Sequence, residues 1–217
     1  MITMYDGLIE KLAANLAPVP KHAVIMRLAV GICAGTIASA ILMILVLGIR
    51  PDIAAASSTG MFWVKFSYTL ALAAFSVWIM ERLARPAESA GRRLNWLWAP
   101  PSILILLTIV EFARATTSTY MTLVMGSGSA LFCFSGIATL SIPPLLGLIW
   151  AIRGLAPTKL RTSGVVAGLA AGGAGAFVYA LHCTESSAAF LAVWYSLGAA
   201  VVAIFGFLLG PSLLRWP

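Results

Sequence analysis

The chain has 217 residues, of which 61% are hydrophobic and 10% are charged, and its formal net charge is +7. Soluble domains have about 45–50% apolar and about 25% charged residues, so seven acids and fourteen bases cannot cover a soluble protein of this length. These numbers exclude a soluble enzyme, a coiled coil, a collagen-like chain, a disordered tail and a small disulfide-rich domain, and they indicate a polytopic membrane protein.

The first 26 residues form the one polar stretch with a helical pattern. Its apolar residues fall on one face of a predicted helix: Leu8, Ile9, Leu12 and Leu16. Asp6 precedes this stripe as its N-cap, and Pro18 and Pro20 end the helix. The segment has few lysines for a membrane surface, so the stripe fits a groove on a partner protein better. We expect residues 1–26 to form a cytoplasmic partner-binding arm and residues 27–217 to form a transmembrane domain.

Six apolar runs are long enough to cross a membrane, because a transmembrane helix needs about 20 mostly apolar residues. The predicted spans are 28–49, 62–80, 98–112, 129–152, 164–181 and 188–209. The intervening stretch 114–128 is rich in Thr, Ser and Gly and predicts a loop, a lid or a re-entrant piece. The fold class is therefore all-α, an integral membrane bundle of six transmembrane helices with a short cytoplasmic amphipathic helix before it.

The basic residues are distributed unequally between the predicted loops. With a cytoplasmic N-terminus, eleven of the fourteen lysines and arginines fall on the inside, and the other three are Arg50, Lys65 and Arg114. This bias follows the positive-inside rule and predicts that both termini are cytoplasmic. The net charge thus indicates orientation and attraction to membrane lipid rather than direct binding of nucleic acid.

Two spans contain residues that affect helix packing. In the fifth, Gly164, Gly168 and Gly172 line one face, which favours a close crossing within the chain over a homodimer face, although the oligomeric state is left open. In the fourth, Pro143 and Pro144 predict a kink or a break.

Lys65 and Glu111 are charged residues within the apolar spans, at the same predicted depth near the outer face. They either form an intramembrane ion pair or stay apart, with the lysine reaching to the interface. A chain of buried acids and an internal repeat are both missing from the sequence, which argues against a transporter.

The three cysteines fall at different depths. Cys33 lies early in the first span and is most simply a small apolar filler. Cys133 and Cys183 lie near the outer ends of the fourth and fifth spans, where an oxidising compartment allows a disulfide, a redox pair or a soft metal site. His182 and Glu185 are candidate supporting or metal-binding groups beside them. The sequence contains neither a CxxC nor an HExxH motif, so the disulfide, the redox pair and the metal site all stay open as alternatives.

Five segments together resemble one family along essentially the whole chain. They are YDGLIEKLAANLAPVP at the start, FWVKFSYTLALA around Lys65, Cys133 followed by Pro143 and Pro144, YALHCTESSAAFLAVWYSLG, and the closing LLRW. This combination resembles the NrsF family, negative regulators of sigma F. The family's opening pattern corresponds here to Asp6, Leu8, Ile9, Leu12, Leu16, Pro18 and Val19.

The resemblance implies an inner-membrane anti-sigma factor with six helices, which holds an extracytoplasmic-function sigma factor at the membrane and is not an enzyme. Cys133 and Cys183 match the two cysteines that the family links to sensing of toxic metal or oxidant stress, whereas Cys33 lies outside the pattern. We expect no constitutive cofactor, and at most a transient soft or transition metal ion at the cysteine pair. The alternative is a membrane thiol-disulfide oxidoreductase coupled to quinone, although such enzymes normally carry cysteines closer in sequence.

Overall fold

The computed structural model describes residues 22–85, 90–155 and 157–215. All regular structure in these ranges is helical, as predicted. Six helical segments are long and apolar enough to cross a membrane: Ala23–Val46, Gly60–Leu83, Gly91–Arg114, Thr117–Arg153, Leu160–Tyr179 and Ala188–Leu213. The predicted number of apolar helices of membrane-spanning length is confirmed. The partner-binding residues from Asp6 to Val19 lie outside the described residues, so the arm stays a prediction.

Seven helices longer than eight residues carry the labels used below. They are α1 (Ala23–Val46), α2 (Gly60–Leu83), α3 (Ala99–Arg114), α4 (Ala130–Leu140), α5 (Ile142–Arg153), α6 (Leu160–Tyr179) and α7 (Ser196–Leu213). A 3-10 helix, Gly91–Trp98, leads into α3, and a π-helical turn, Leu191–Tyr195, leads into α7. The remaining short helices are Ile53–Ala56, Thr117–Thr119, Tyr120–Met125 and Ala188–Phe190.

The fourth span is broken where the sequence predicts it. Leu140 ends α4, and Pro143 and Pro144 occupy the first turn of α5, where their missing N–H groups leave no hydrogen bond unmade. The Thr-, Ser- and Gly-rich stretch 114–128, predicted as a loop, a lid or a re-entrant piece, contains the short helix Tyr120–Met125. This helix ends at Gly126, whose φ is 63°. The span is therefore two half-helices preceded by a short helical segment.

The glycine face of α6 lies against α7, which confirms the crossing within the chain. Gly164, Gly168 and Gly172 all contact α7, and a Cβ on Gly168 would lie 2.5 Å from the carbonyl oxygen of Val202. The backbones therefore approach as closely as small residues permit. Of the six spans α6 is the most buried, and it forms the centre of the bundle.

A second close crossing joins α1 to α5. A Cβ on Gly31 would lie 2.5 Å from the carbonyl oxygen of Gly147, and one on Gly35 would lie 2.7 Å from the carbonyl oxygen of Pro143. Both contacts are with backbone, which cannot yield as a side chain can. The half-helix α5 is thus packed tightly on the helix that leads to the N-terminal arm.

The two ends of the bundle differ in charge. One end, named here the arginine end, contains the start of α1, the ends of α5 and α7, and these residues: Arg27, Arg82, Arg85, Arg92, Arg93, Arg153, Lys159, Arg161 and Arg215. The other, the cysteine end, contains Arg50, Lys65 and Arg114. The sorting agrees with the positive-inside pattern, while the direction of insertion itself stays a prediction.

Candidate functional site

The structure brings Cys133 and Cys183 together at the cysteine end. Their sulfur atoms lie 3.6 Å apart, and both thiols are free and buried. Cys133 lies in the first turn of α4, while Cys183 lies in the irregular segment 180–187 that follows α6. Two sequence positions fifty residues apart thus form one site with a thiol–thiol hydrogen bond.

Tyr179, at the end of α6, positions Cys133. Its hydroxyl donates a hydrogen bond to the Cys133 sulfur at 3.4 Å. The Tyr179 ring lies against the backbone of Gly136, where any side chain would collide with it. Gly136, one turn after Cys133, therefore allows the tyrosine to reach the thiol.

Two cations converge on the backbone at Cys183. The ammonium of Lys65, whose side chain is only 2% exposed, donates to the carbonyl oxygen of Cys183 at 3.1 Å and also to the carbonyl oxygen of Glu185. A guanidinium nitrogen of Arg50 donates to the same Cys183 oxygen at 3.1 Å. Lys65 also lies 5.7 Å from the ring centroid of Tyr195, which is completely buried. The segment that carries Cys183 is therefore clamped by two positive charges.

The surroundings of Cys183 favour its thiolate. The hydrogen bond from the Cys133 thiol and the charge of Lys65 lower the pKa of Cys183 to about 6, against the opposing effect of burial. Arg50 is itself fixed by Asp52, whose carboxylate oxygens accept two hydrogen bonds of 2.7 Å. That pairing raises the pKa of Arg50, so the guanidinium is permanently charged.

Glu185 joins the Cys183 segment to the loop before α4. Its carboxylate accepts hydrogen bonds from the backbone N–H of Ser127 at 2.8 Å, the Ser127 hydroxyl at 2.5 Å and the Ser129 hydroxyl at 3.0 Å. Burial raises the pKa of Glu185, but the hydrogen bonds from the two serines outweigh it, so the pKa is lowered. Both ends of the cysteine pair are thus held by one carboxylate.

The ion pair between Lys65 and Glu111, one of two sequence-based alternatives, does not form in the described part of the chain. The Glu111 carboxylate instead accepts from the Ser187 hydroxyl at 3.0 Å and from the backbone N–H of Ala189 at 2.9 Å. Lys65 is engaged by backbone carbonyls. Each side chain therefore binds a different part of the chain that follows α6.

His182, Glu185 and Cys33 are the remaining candidate residues of the described chain. The His182 ring nitrogen Nδ1 lies 2.9 Å from the carbonyl oxygen of Gly48, and Glu185 is engaged by serines as above. Across residues 22–85, 90–155 and 157–215 the structure has no group of three His, Cys, Asp or Glu side chains arranged to hold a metal ion, so a metal at the cysteine pair stays a prediction. The expectation that Cys33 fills the interior is wrong, because Cys33 is exposed on α1 and lines an outward-facing apolar groove.

A partly open cavity of about 350 Å³ gives access to the cysteine pair. Both thiols line it, together with Arg50, Ser129, Tyr179 and His182. Arg50 was not singled out from the sequence, although a basic residue at the outer face departs from the positive-inside pattern and Asp52 follows it closely. That departure is the signal by which the sequence could have identified it.

Comparisons with known proteins identify the family of this chain. The family model described as NrsF, negative regulator of sigma F, matches residues 12–216. The probable anti-sigma-F factor NrsF of Azospira oryzae and the anti-sigma-F factor NrsF of Caulobacter vibrioides are each 36% identical to this chain, over 97% of it and 99% of their own lengths. No solved structure matches the chain significantly. The chain therefore belongs to the NrsF family of negative regulators of sigma F.

Proposed function

We propose that this chain binds a sigma factor of the extracytoplasmic-function class through its N-terminal arm and holds it at the bacterial inner membrane, and that oxidation of Cys133 and Cys183 releases it. The observation that carries the proposal is the free thiol pair, with sulfur atoms 3.6 Å apart, in a chain of an anti-sigma family. Both matched relatives are named anti-sigma-F factors, and nothing in the comparisons supports a quinone-coupled oxidoreductase.

A disulfide needs only a small movement of the sulfurs. They must approach from 3.6 Å to about 2.05 Å, and Cys133 lies in the first turn of a half-helix. A two-sulfur product fits the site better than a metal ion, because a soft metal needs further donors and His182 and Glu185 contact other groups in the described structure. The signal that we propose for the cysteine pair is therefore oxidation.

A continuous packed route joins the cysteine pair to α1, the helix that follows the predicted docking stripe in sequence. Cys133 lies in α4, and the break at Ser141 separates α4 from α5. Ser141 packs against Gly175 of α6, where a Cβ would lie 2.7 Å from the Ser141 nitrogen. The half-helix α5 contacts α1 backbone to backbone, and α1 begins at Ala23, within the last residues of the predicted arm. Movement of α4 can thus reach the arm through two rigid pieces.

The required energy is modest. A hundredfold shift between the bound and released states needs about 3 kcal/mol of difference between reduced and oxidised protein, because each factor of ten corresponds to about 1.4 kcal/mol. A single disulfide typically contributes about 2–4 kcal/mol. The required coupling is thus of the same order as the effect of one disulfide on folding stability.

The test uses the full chain in proteoliposomes of phosphatidylethanolamine and phosphatidylglycerol, with an extracytoplasmic-function sigma factor from the same organism. We expect the sigma factor to sediment with the vesicles, to be released by hydrogen peroxide and to rebind after reduction by dithiothreitol. Deletion of residues 1–20 should abolish binding, and the Cys133→Ser/Cys183→Ser double variant should bind but not release. Cys33→Ser is the matched control and should behave as wild type.

Two results would contradict the proposal. Binding that survives deletion of residues 1–20 would remove the arm as the docking element. Release by peroxide from the double serine variant, equal to that from Cys33→Ser, would remove the cysteine pair as the sensor.

A further inference from the structure

We propose that the two cysteines have unequal roles: Cys183 is the sulfur that attacks a hydroperoxide, and Cys133 is the resolving thiol that closes the disulfide. This assignment rests on the proposed oxidative function and specifies both the oxidant class and the order of events. It follows from the charges, the contacts and the cavity around the two sulfurs.

Two cations of the described site contact the backbone of Cys183. Lys65 and Arg50 both donate to the Cys183 carbonyl oxygen, so a negative charge on the adjacent sulfur is stabilised by two nearby cations. The Cys133 sulfur instead accepts a hydrogen bond from a neutral group, the hydroxyl of Tyr179. The single negative charge that this pair can hold therefore belongs on Cys183.

The positive charges cannot move away from Cys183. Lys65 is buried beneath segment 180–187 and is held by two carbonyl oxygens. Arg50 is fixed by two hydrogen bonds to Asp52 and by its backbone N–H, which donates to the Leu181 carbonyl oxygen at 3.2 Å. The hydrogen bond from Cys133 and the charge of Lys65 lower the pKa of Cys183, which favours the thiolate, the nucleophilic form.

Access and size favour a small oxidant. Both cysteines line the cavity of about 350 Å³, yet the residues themselves are buried, Cys183 being 4% exposed and Cys133 1% exposed. Hydrogen peroxide is little larger than a water molecule, whose share of liquid volume is about 30 Å³. Such a molecule can enter without displacing helices, whereas a folded protein thiol cannot bring its sulfur to either cysteine.

Hydrogen peroxide oxidises the two thiols to a disulfide in two steps. The Cys183 thiolate attacks one oxygen of hydrogen peroxide, an S–O bond forms as the O–O bond breaks, and hydroxide leaves and takes a proton from solvent. Two electrons pass from sulfur to oxygen, and Cys183 becomes a sulfenic acid. The Cys133 sulfur then attacks Cys183, an S–S bond forms as the S–O bond breaks, and the Cys133 proton leaves with the oxygen as water. The sum is two thiols and one peroxide giving one disulfide and two waters.

The main test traps the first intermediate in the full chain, in proteoliposomes and on a Cys33→Ser background, without any sigma factor. After peroxide treatment, dimedone adducts are quantified by mass spectrometry. Cys133→Ser should accumulate the adduct on Cys183, because no resolving thiol remains. Cys183→Ser should give at least about tenfold less adduct on Cys133, because a protonated thiol reacts poorly. More adduct on Cys133 than on Cys183 in these two variants would overturn the assignment.

A second test checks the role of the cations and does not depend on the oxidant. The pH dependence of Cys183 alkylation by iodoacetamide is measured in the Cys133→Ser variant with and without Lys65→Met. We expect the midpoint to rise by about one unit or more when Lys65 is lost, and Lys65→Arg to restore it if the charge is what matters. Arg50→Gln provides a second cation variant in case Lys65→Met does not fold. An unchanged midpoint in every folded variant would refute the electrostatic assignment.

Failure here and failure of the proposed function are distinguishable. Trapping and alkylation report on the sulfurs alone, and release of the sigma factor reports on the coupling to the arm. Correct labelling without release would leave the roles of the cysteines intact and contradict the sensory function. Release from a protein in which Cys133 reacts first would preserve the sensory function and reverse the roles proposed here.

Discussion

The substitution Gly35→Val tests whether the close packing of α1 on α5 matters for stability and for release of the sigma factor. At Gly35 a Cβ alone would lie 2.7 Å from both the Pro143 carbonyl oxygen and the Pro144 nitrogen, and valine adds two further carbons. Since these neighbours are backbone atoms, the two helices must separate.

The expected cost follows from the packing. Overpacking of a tight interface costs about 1–3 kcal/mol, and with three added carbons we expect the upper end of that range. Valine in place of glycine returns only about 0.4 kcal/mol of helix propensity. The net loss of about 2–3 kcal/mol corresponds to a fall in Tm of roughly 4–12 °C for a chain of this size.

The assay is thermal unfolding of the full chain in proteoliposomes, combined with peroxide-induced release of the sigma factor. Ala34→Val is the matched control, because Ala34 is exposed on the same helix one position away. Gly35→Val should melt lower than Ala34→Val and should form the disulfide without releasing the sigma factor. Equal melting temperatures and equal release in the two variants would refute the packed route from α4 to the arm.

Three further predictions concern other contacts. Glu185 has a lowered pKa, so its stabilisation of loop 126–129 is present above its ordinary value of 4.5 and is lost as pH falls through the folded pKa. Hydrogen-exchange protection factors of the loop, corrected for the intrinsic pH dependence, should fall there in wild type and be low throughout in Glu185→Gln. A wild-type protection factor that does not change with pH would contradict this. Ser39→Ala removes a buried 2.6 Å hydrogen bond to the last carbonyl of α4 and should lower the free energy of unfolding by about 0.5–1.5 kcal/mol, as measured by denaturant titration. An unchanged midpoint would show that the bond does not contribute to stability. Gly206→Val should destabilise the crossing at Gly164, where any side chain would meet backbone, by about 1–3 kcal/mol; an unchanged Tm would show that this contact is loose.

The features predicted correctly from the sequence depend on local patterns. Six apolar runs of sufficient length produce six helices long enough to cross a membrane, as expected for segments whose backbone groups must be satisfied within each helix. The proline pair breaks the fourth span, and the glycine face of α6 packs within the chain, since both effects depend on residue type alone. The positions of Cys133 and Cys183 near two span ends on one face likewise followed from topology.

The contacts that could not be predicted involve the irregular segment 180–187. Lys65 was expected either to meet an acid or to stay near water, yet its partners are the backbone carbonyls of Cys183 and Glu185. Carbonyl groups are present at every residue, so no pattern of side-chain types reveals which of them a non-helical segment presents. The orientation of Cys33 was missed for a related reason, because its helix is hydrophobic around its whole circumference and the buried face cannot be read from periodicity.

The most direct measurement follows disulfide formation and release of the sigma factor in the same sample as hydrogen peroxide is titrated. The fraction of Cys133–Cys183 disulfide is read by differential thiol labelling, and the released sigma factor by sedimentation. If the cysteine pair is the sensor, the two curves coincide in wild type, and both reverse with dithiothreitol. A fully formed disulfide with the sigma factor still bound to the vesicles would contradict the claim that the cysteine pair is the sensor.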